Sequence, residues 1–316
     1  LWALGEQWSG ENAAWRDAVQ RRLELAPPAP TPVLGTVDEA LWRDSEDRYR
    51  DMIRAAHSAI TDGDAYQLCL TTSMSVSGTV DPVALHRIMR QTSPTHHQAL
   101  IRLGGTTLVS ASPETFLEIS SSRRVITKPI KGTRPRSADP LEDDEFASAL
   151  LESGKERAEN LMIVDLMRND LSKVCEVGSV VVPALCVLES YATVHQLVST
   201  VEGQLRPGLG VWEVLSECFP AGSMTGAPKK RAMEVLKAEE SGDRGYYSGV
   251  YGIERVDGSA TVAMTIRTAV VRRDSLSLGV GGGITALSVP GEEIQEVGVK
   301  ARGFCDALGV SSGDYS

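Results

Sequence analysis

Lys131 lies in the stretch Thr127-Lys128-Pro129-Ile130-Lys131-Gly132-Thr133-Arg134, just after a short β-like run at residues 124–126. Pro129 cannot donate to a sheet ladder and Gly132 permits a tight turn, so the amine is expected at a strand end, where it can be aimed into a cavity. An amine so placed serves as a solvated charge, as an ion-pair partner, or as a nucleophile activated by desolvation or a neighbouring cation. Lys128 is a neighbouring cation, but strand alternation points it elsewhere.

Carboxylates form a second group. Ser153-Gly154-Lys155-Glu156 reads as a capping box that opens a helix to about Leu171. On it Glu156, Glu159, Ile163 and Asp170 share roughly one face. Carboxylates near a helix start ordinarily answer the dipole, which accounts for Glu156, whereas Glu159 lies a turn further in among apolar residues. On the last helix Glu292, Glu293 and Glu296 crowd the first turns, and Lys300 follows Glu296 at the spacing of a solvated Glu–Lys pair. The competing reading gives Glu159 and Glu296 to one Mg²⁺, an ion that takes one or two carboxylates along with substrate oxygens.

Arg267 falls inside a predicted strand, residues 259–272. Alternation there puts Val262, Met264, Ile266 and Val270 on one face and Thr265 and Arg267 on the other. An arginine in that place either caps a sheet edge or grips a carboxylate with its two-pronged donors. Gly281, Gly282 and Gly283 interrupt the strand before them and, with Gly279, form either a plain turn or a set of backbone donors for an anion. Residues 222–229 lack the ending of a nucleotide phosphate loop, but they lead into a helix N-terminus that suits a carboxylate. His195, in Val194-His195-Gln196-Leu197, reads as a sheet histidine.

The elements that must position these groups alternate irregularly. Helices are expected at residues 1–24, 45–63, 82–89, 140–151, 153–171, 212–218, 228–240 and 292–308. Strands are expected at 65–73, 98–102, 106–110, 115–119, 180–187, 191–194, 197–203, 247–251, 259–272 and 275–280. Strands in antiparallel meanders among long helices favour an α+β fold over a doubly wound sheet. Pro27, Pro28, Pro30 and Pro32 mark an extended linker, which divides the chain into residues 1–35 and a main domain at 36–310.

The 316 residues carry a formal net charge of -10, which argues against a nucleic-acid partner. An anionic substrate must then be met by a local cluster of cations or by a metal. Cys69, Cys175, Cys186, Cys218 and Cys305 are scattered and form no C-x-x-C pair, as in a reduced cytoplasmic protein. No long apolar run or signal-like start points to a membrane or to secretion. The chain starts at Leu1, which fits a processed chain or part of a longer polypeptide.

A series of stretches, in order, then becomes informative together. They are Gly63-Asp64-Ala65-Tyr66-Gln67, Ser112-Pro113-Glu114, residues 129–133, Ala158-Glu159-Asn160-Leu161-Met162-Ile163-Val164-Asp165-Leu166, Arg168-Asn169-Asp170-Leu171, residues 222–229, Tyr247-Ser248-Gly249, Thr265-Ile266-Arg267, Gly281-Gly282-Gly283 and residues 293–300. With them the chain resembles the chorismate-utilising enzymes, the family of the first components of anthranilate and aminodeoxychorismate synthases and of the isochorismate and salicylate synthases.

The resemblance implies a large antiparallel core, a two-sheet sandwich flanked by helices, of the anthranilate synthase component I kind. Water-activating members carry lysine where this chain has Gln67, which implies ammonia as nucleophile. Anthranilate synthases carry alanine where this chain has Lys131, which implies the aminodeoxychorismate branch, leading to para-aminobenzoate. In that reaction Glu114 is the general acid and Lys131 attacks ring C2 of chorismate. Mg²⁺ sits on Glu159 and Glu296. Arg267, Lys300 and the backbone of Gly281, Gly282 and Gly283 hold a carboxylate, while Gln67, Thr133, His195, Thr225 and Tyr247 line the pocket.

Ammonia is implied to come from a glutamine amidotransferase, as a subunit or a fused domain. The other outcomes are C2 amination with Lys131 a bystander, or a chorismate-binding subunit without catalysis. The family's amino-terminal region, which in many members carries a tryptophan pocket, is mostly missing upstream of Leu1. The segment before the linker reads as its remnant.

Overall fold

The computed structural model describes residues 10–27, 31, 33–191 and 194–315. The first nine residues of the expected amino-terminal helix, the linker residues Pro28, Pro30 and Pro32, and positions 192–193 of the expected strand at 191–194 lie outside the described residues. The chain forms two compact units, residues 1–33 and 34–316. The first holds α1 (Gly10–Glu24), which buries none of its residues.

The second unit runs β1 (Gly35–Trp42), α2 (Glu46–Thr61), β2 (Gln67–Val80), α3 (Pro82–Thr92), β3 (His97–Leu103), β4 (Thr106–Ser112), β5 (Thr115–Ile119), β6 (Arg124–Thr127), β7 (Ile130–Pro135), α4 (Pro140–Glu152) and α5 (Gly154–Ser172). It continues β8 (Val181–Ser190), β9 (Val194–Gln204), α6 (Val211–Cys218), β10 (Gly226–Ala227), α7 (Lys229–Glu239), β11 (Val250–Glu254), β12 (Ala260–Met264), β13 (Thr268–Val271), β14 (Ser275–Thr285) and α8 (Pro290–Leu308). The strands make two seven-stranded sheets. The first has the order β1-β2-β14-β13-β4-β3, with β10 added to β2, and the second β11-β12-β5-β6-β9-β7, with β8 added to β9. Every pairing is antiparallel, as an α+β fold requires.

Each sheet has its own apolar backing. Tyr49, Met52, Leu68, Leu70, Leu278, Val297 and Phe304 join the first sheet to α2 and α8. Phe116, Leu117, Ile163, Met167, Val201 and Val214 join the second to α5 and α6. Fully burying one such side chain contributes about 1.5–3 kcal/mol. Alternation along β2 sends Leu68 and Leu70 to the first cluster, while Cys69 between them belongs to the second. The odd-numbered side chains at the start of β2 therefore turn toward the facing sheet, and Gln67 shares that direction.

The helix starts follow their caps. Ser45 and Ser153 accept hydrogen bonds from the amides of Arg48 (3.2 Å) and Glu156 (3.3 Å), and Asp81 and Asp139 precede prolines at the first helical positions. Gly309, at φ 70°, ends α8 in the left-handed conformation. Among the described residues no helix is long and apolar enough to cross a membrane.

Several local expectations are corrected. The three glycines do not interrupt β14, which runs on to Thr285 with Gly281, Gly282 and Gly283 opposite Thr71, Leu70 and Cys69. A Cβ at Gly281 would overlap the Leu70 carbonyl, so close strand approach, not a turn, requires glycine there. The expected strand at 259–272 is two strands in different sheets, and Arg267 at φ 47° lies in the switch between them. Lys131 does not follow the end of the run at 124–126 in a free turn but stands second in a strand of its own. β7 continues past it through a register shift between Ile130 and Thr133, with Gly132 at φ 80°. β2 extends to Val80, seven residues beyond the expected end at 73, and pairs with β1, a strand that has no counterpart in the sequence reading. β11 begins at Val250, leaving Tyr247 in the preceding turn.

Candidate active site

The bulge in β7 turns Lys131 toward the first sheet. A Cβ built on Gly283 would overlap the Gln67 amide and lie 3.2 Å from the Lys131 Nζ, so the two side chains converge over bare backbone. Gln67 is 0% exposed, and neither its Oε1 nor its Nε2 has a hydrogen-bond partner. A buried, unpartnered amide costs about 1–3 kcal/mol, so its presence there calls for a partner from outside the chain, a water or a ligand. Among the described residues Lys131 makes no hydrogen bond or ion pair, which leaves its amine available. β13 pairs with β14 only as far as Leu278, so among the described residues no strand pairs with the edge of β14 beyond it on that side. One of its carbonyls, that of Gly281, accepts from Lys300 Nζ at 2.7 Å.

Glu114 sits just before β5, and its Oε1 accepts from Ser223 Oγ at 2.8 Å. Burial raises its carboxyl above the ordinary range, although the Ser223 hydrogen bond and the charges of Lys131 and Lys300 pull the other way. That is the direction a general acid needs.

The helix carboxylates meet the same cations. Glu159 is 7% exposed, and burial lifts it to about 7 against the opposing charges of Lys131 and Lys155, with Glu156 and Glu293 adding to the rise. Among the described residues Glu159 has neither an ion pair nor a hydrogen bond. Glu296 behaves differently. Burial works to raise it, but Lys300, bound at 2.6 Å, together with Lys131 and Lys155, brings it below its usual value. The Glu–Lys pair expected on α8 therefore forms, with the Glu296 side chain 53% exposed. Lys131 and Lys155 act on both carboxylates, so Glu159 of α5 and Glu296 of α8 face common ground.

The donor set suits a hard cation. A buried carboxyl raised to about 7 despite the charges of Lys131 and Lys155 is incompletely neutralised when ionised, and oxygen ligands from two elements are what Mg²⁺ takes. Among the described residues no group of three or more His, Cys, Asp or Glu closes on one point, so water or substrate oxygens must complete any such site.

This carboxyl also yields a stability prediction. Its folded value near 7 lies above the unfolded one near 4.3, so folding favours the acid form. The penalty is absent at low pH, grows as pH rises between these values and is complete above the folded one. Glu159→Gln should therefore stabilise the cation-free protein by about 2–3 kcal/mol at about pH 8 and very little at about pH 4. Melting curves in chelator would measure this. Added Mg²⁺ should raise the melting temperature of the parent but not of the variant.

Arg267 is half-buried. Burial draws its guanidinium downward while Tyr247 and Glu296 oppose that, and among the described residues it has no hydrogen bond or ion pair. Of the two readings of its place in the sequence, the strand-edge cap is not made among the described residues, which leaves its donors for a carboxylate. Tyr247 packs where a Cβ on Gly279 would stand. Thr225 is buried and donates to the carbonyls of Ala221 (3.2 Å) and Gly222 (3.4 Å), fixing the loop beside β2.

Two expected pocket residues point into other contacts. His195 uses both ring nitrogens, toward Ser190 (2.7 Å) and Asp143 (3.1 Å), so its contacts run to β8 and α4. Thr133 is exposed, and its hydroxyl accepts from Gln196 at 3.4 Å. Neither contact joins these side chains to Lys131.

Three contributors had no role in the sequence reading. Lys155 bridges α5 to α8 by pairing with the buried Glu293 at 3.2 Å, and Glu293 Oε2 lies 3.2 Å from where a Gly282 Cβ would be. Ser223 reaches Glu114 across the cleft. For Lys155 and Glu293 the only signal was their position in the first turn of each helix, and for Ser223 its place in a Gly-rich loop.

The chain is similar to known proteins along most of its length. The profile of a family described as "chorismate binding enzyme" matches residues 3–306. Aminodeoxychorismate synthase of Streptomyces pristinaespiralis is 45% identical over 267 residues, which cover 84% of this chain and 37% of that protein. Aminodeoxychorismate synthase of Streptomyces griseus is 43% identical over 300 residues, 95% of this chain and 41% of that one. The chain thus spans about two fifths of the length of these relatives. The crystal structure of anthranilate synthase component I from Streptococcus pneumoniae superposes with a TM-score of 0.80 at 31% identity, covering 94% of this chain and 66% of that one. With a two-sheet core and a family match along nearly its whole length, this chain belongs to the chorismate binding enzyme family.

Proposed function

We propose that this chain aminates chorismate with ammonia at ring C4, giving 4-amino-4-deoxychorismate on the way to para-aminobenzoate. The observation that carries the reading is the unpartnered amine of Lys131, set against an equally unpartnered Gln67 amide over Gly283. The names of the Streptomyces relatives support it as well.

Chorismate is a dianion, and the free guanidinium of Arg267, with Lys300 behind the Gly281 backbone, suits one carboxylate. Glu159 and Glu296 would hold Mg²⁺, which when bound supplies a counter-charge for the other carboxylate and for the departing oxygen. Lys131, as free amine, forms a bond to C2 while the ring double bonds shift and the C4–O bond breaks. Glu114 gives its proton to that oxygen, which leaves as water. Ammonia then bonds to C4, the double bonds shift back and the lysine is expelled from C2. The proton lost by the new C4 ammonium restores Glu114. Covalent capture divides one hard displacement into two easier ones. Gln67 has no basic group with which to activate water, which favours ammonia.

A glutamine amidotransferase, as a separate subunit or fused domain, is the proposed ammonia source, and the greater length of the Streptomyces relatives leaves room for one. Five buried cysteines, none in a disulfide, support a reducing, cytoplasmic setting. The test is to incubate the chain with chorismate, ammonium and Mg²⁺ and to identify the product by mass spectrometry and ultraviolet absorbance. A 4-amino product is expected. Anthranilate or a 2-amino product would overturn C4 amination, and unaltered chorismate would leave a binding role.

A further inference from the structure

The hydroxyl that reaches Glu114 is delivered by a braced turn. Ser223 lies in a single 3₁₀ turn, Gly222–Met224, between α6 and β10. Lys229 ties the turn's flanks together by donating to the Cys218 carbonyl (2.9 Å) and to the buried Asp170 of α5 (2.6 Å). On the far side Arg244 donates to the Met224 carbonyl (2.6 Å), and the Cys69 amide of β2 donates to the Thr225 carbonyl (2.9 Å). Leu166 of α5 fills the space where a Gly222 side chain would be. The Ser223 Oγ is thus fixed relative to both sheets, and it donates to one oxygen of Glu114, Oε1, at 2.8 Å.

A carboxyl used as an acid must present its proton from a defined oxygen. An Oε1 engaged as acceptor is a poor site for the proton, so the proton resides on Oε2. We infer that Ser223 is a positioning residue for Glu114, holding Oε1 so that Oε2 carries the transferable proton. This rests on the reading of Glu114 as the acid of the proposed reaction. When the proton has gone, the same hydroxyl donates to a carboxylate, where a hydrogen bond is strongest.

The groups that face Glu114 are few. Lys131 from β7 and Lys300 from α8 favour the ionised form, as Ser223 does, while burial disfavours it and prevails. From β3, His97 engages the neighbouring Thr115 Oγ1 at 2.7 Å, and burial keeps that imidazole below its usual value. Removing the Ser223 hydroxyl takes away one of the three influences that oppose burial, so Glu114 must hold its proton to higher pH.

The experiment is a ¹³C NMR titration of protein labelled at glutamate carboxyls, with Glu114 assigned by the signal lost in Glu114→Gln. Ser223→Ala should move the Glu114 midpoint up, Ser223→Cys, a weaker donor, should move it part of the way, and Ser223→Thr should return it to the parent value. In turnover of chorismate, Ser223→Ala should lower kcat about tenfold with KM nearly unchanged, and its alkaline limb should follow the midpoint upward. A midpoint unmoved in both the Ala and Cys variants, or one that Thr does not restore, overturns the inference. The titration needs no turnover. Protein that leaves chorismate unaltered but shows the midpoint series would refute the proposed reaction and keep the Ser223–Glu114 coupling. Turnover with no midpoint series would do the reverse.

Discussion

Lys131→Ala is expected to abolish amination at C4 and to move whatever product remains to C2. Among the described residues the amine in the β7 bulge has no ion pair to break, so alanine removes the proposed nucleophile together with a positive charge that acts on Glu114, Glu159 and Glu296. The bulge itself depends on Gly132, not on the lysine side chain. Loss of a covalent catalyst of this kind lowers the rate by a factor on the order of 10³ or more. Ammonia can still approach C2 in the space the amine vacates, because Gln67 of β2 and Gly283 of β14 on the facing sheet are unchanged. Mass spectrometry of the product, with an isotopic label in the ammonium, separates the positions. A C4 product formed at the parent rate would eliminate the covalent step.

Glu114→Gln should be the second severe loss, lowering kcat by about 10²–10⁴ while KM stays within about threefold, the range general acid catalysis supplies. Glutamine keeps the size of the side chain and can still accept from Ser223, so the cleft should stay in shape. It cannot give up a proton to the departing hydroxyl. Because burial raises Glu114, activity of the parent should fall as pH climbs through its value, the acid form being the active one. The variant should lose that alkaline limb. A pH profile of chorismate consumption for both proteins checks it, and a limb that survives in the variant would assign the proton to another group.

Much of this site could be read in the chain, for reasons that are local. Caps and helical spacing place Glu159 and Glu296 on helices, and alternation places Gln67 on a strand. What could not be read depends on meetings between distant elements. Three consecutive glycines look like a turn, because nothing nearby shows that a Leu70 carbonyl and a Gln67 amide crowd against them. Residues 259–272 look like one strand because both halves are apolar, and local pattern carries no record of which sheet each half joins. β1 carries Asp38 and Glu39 and exposes much of its length, so it lacks a strand's usual alternation. Ser223 is one hydroxyl in a loop until the fold brings Glu114 to it.

The switch between β12 and β13 has a mechanical consequence. The chain leaves one layer at Met264 and enters the other at Thr268, with Arg267 at φ 47° in the short stitch between. That conformation costs a non-glycine residue about 1 kcal/mol, so the stitch is taut and has little slack to absorb movement. Any sliding of one layer over the other would be felt in the stitch that carries Arg267. If Arg267 holds a carboxylate of the substrate, as proposed above, affinity for that group should fade ahead of circular dichroism when the layers begin to part.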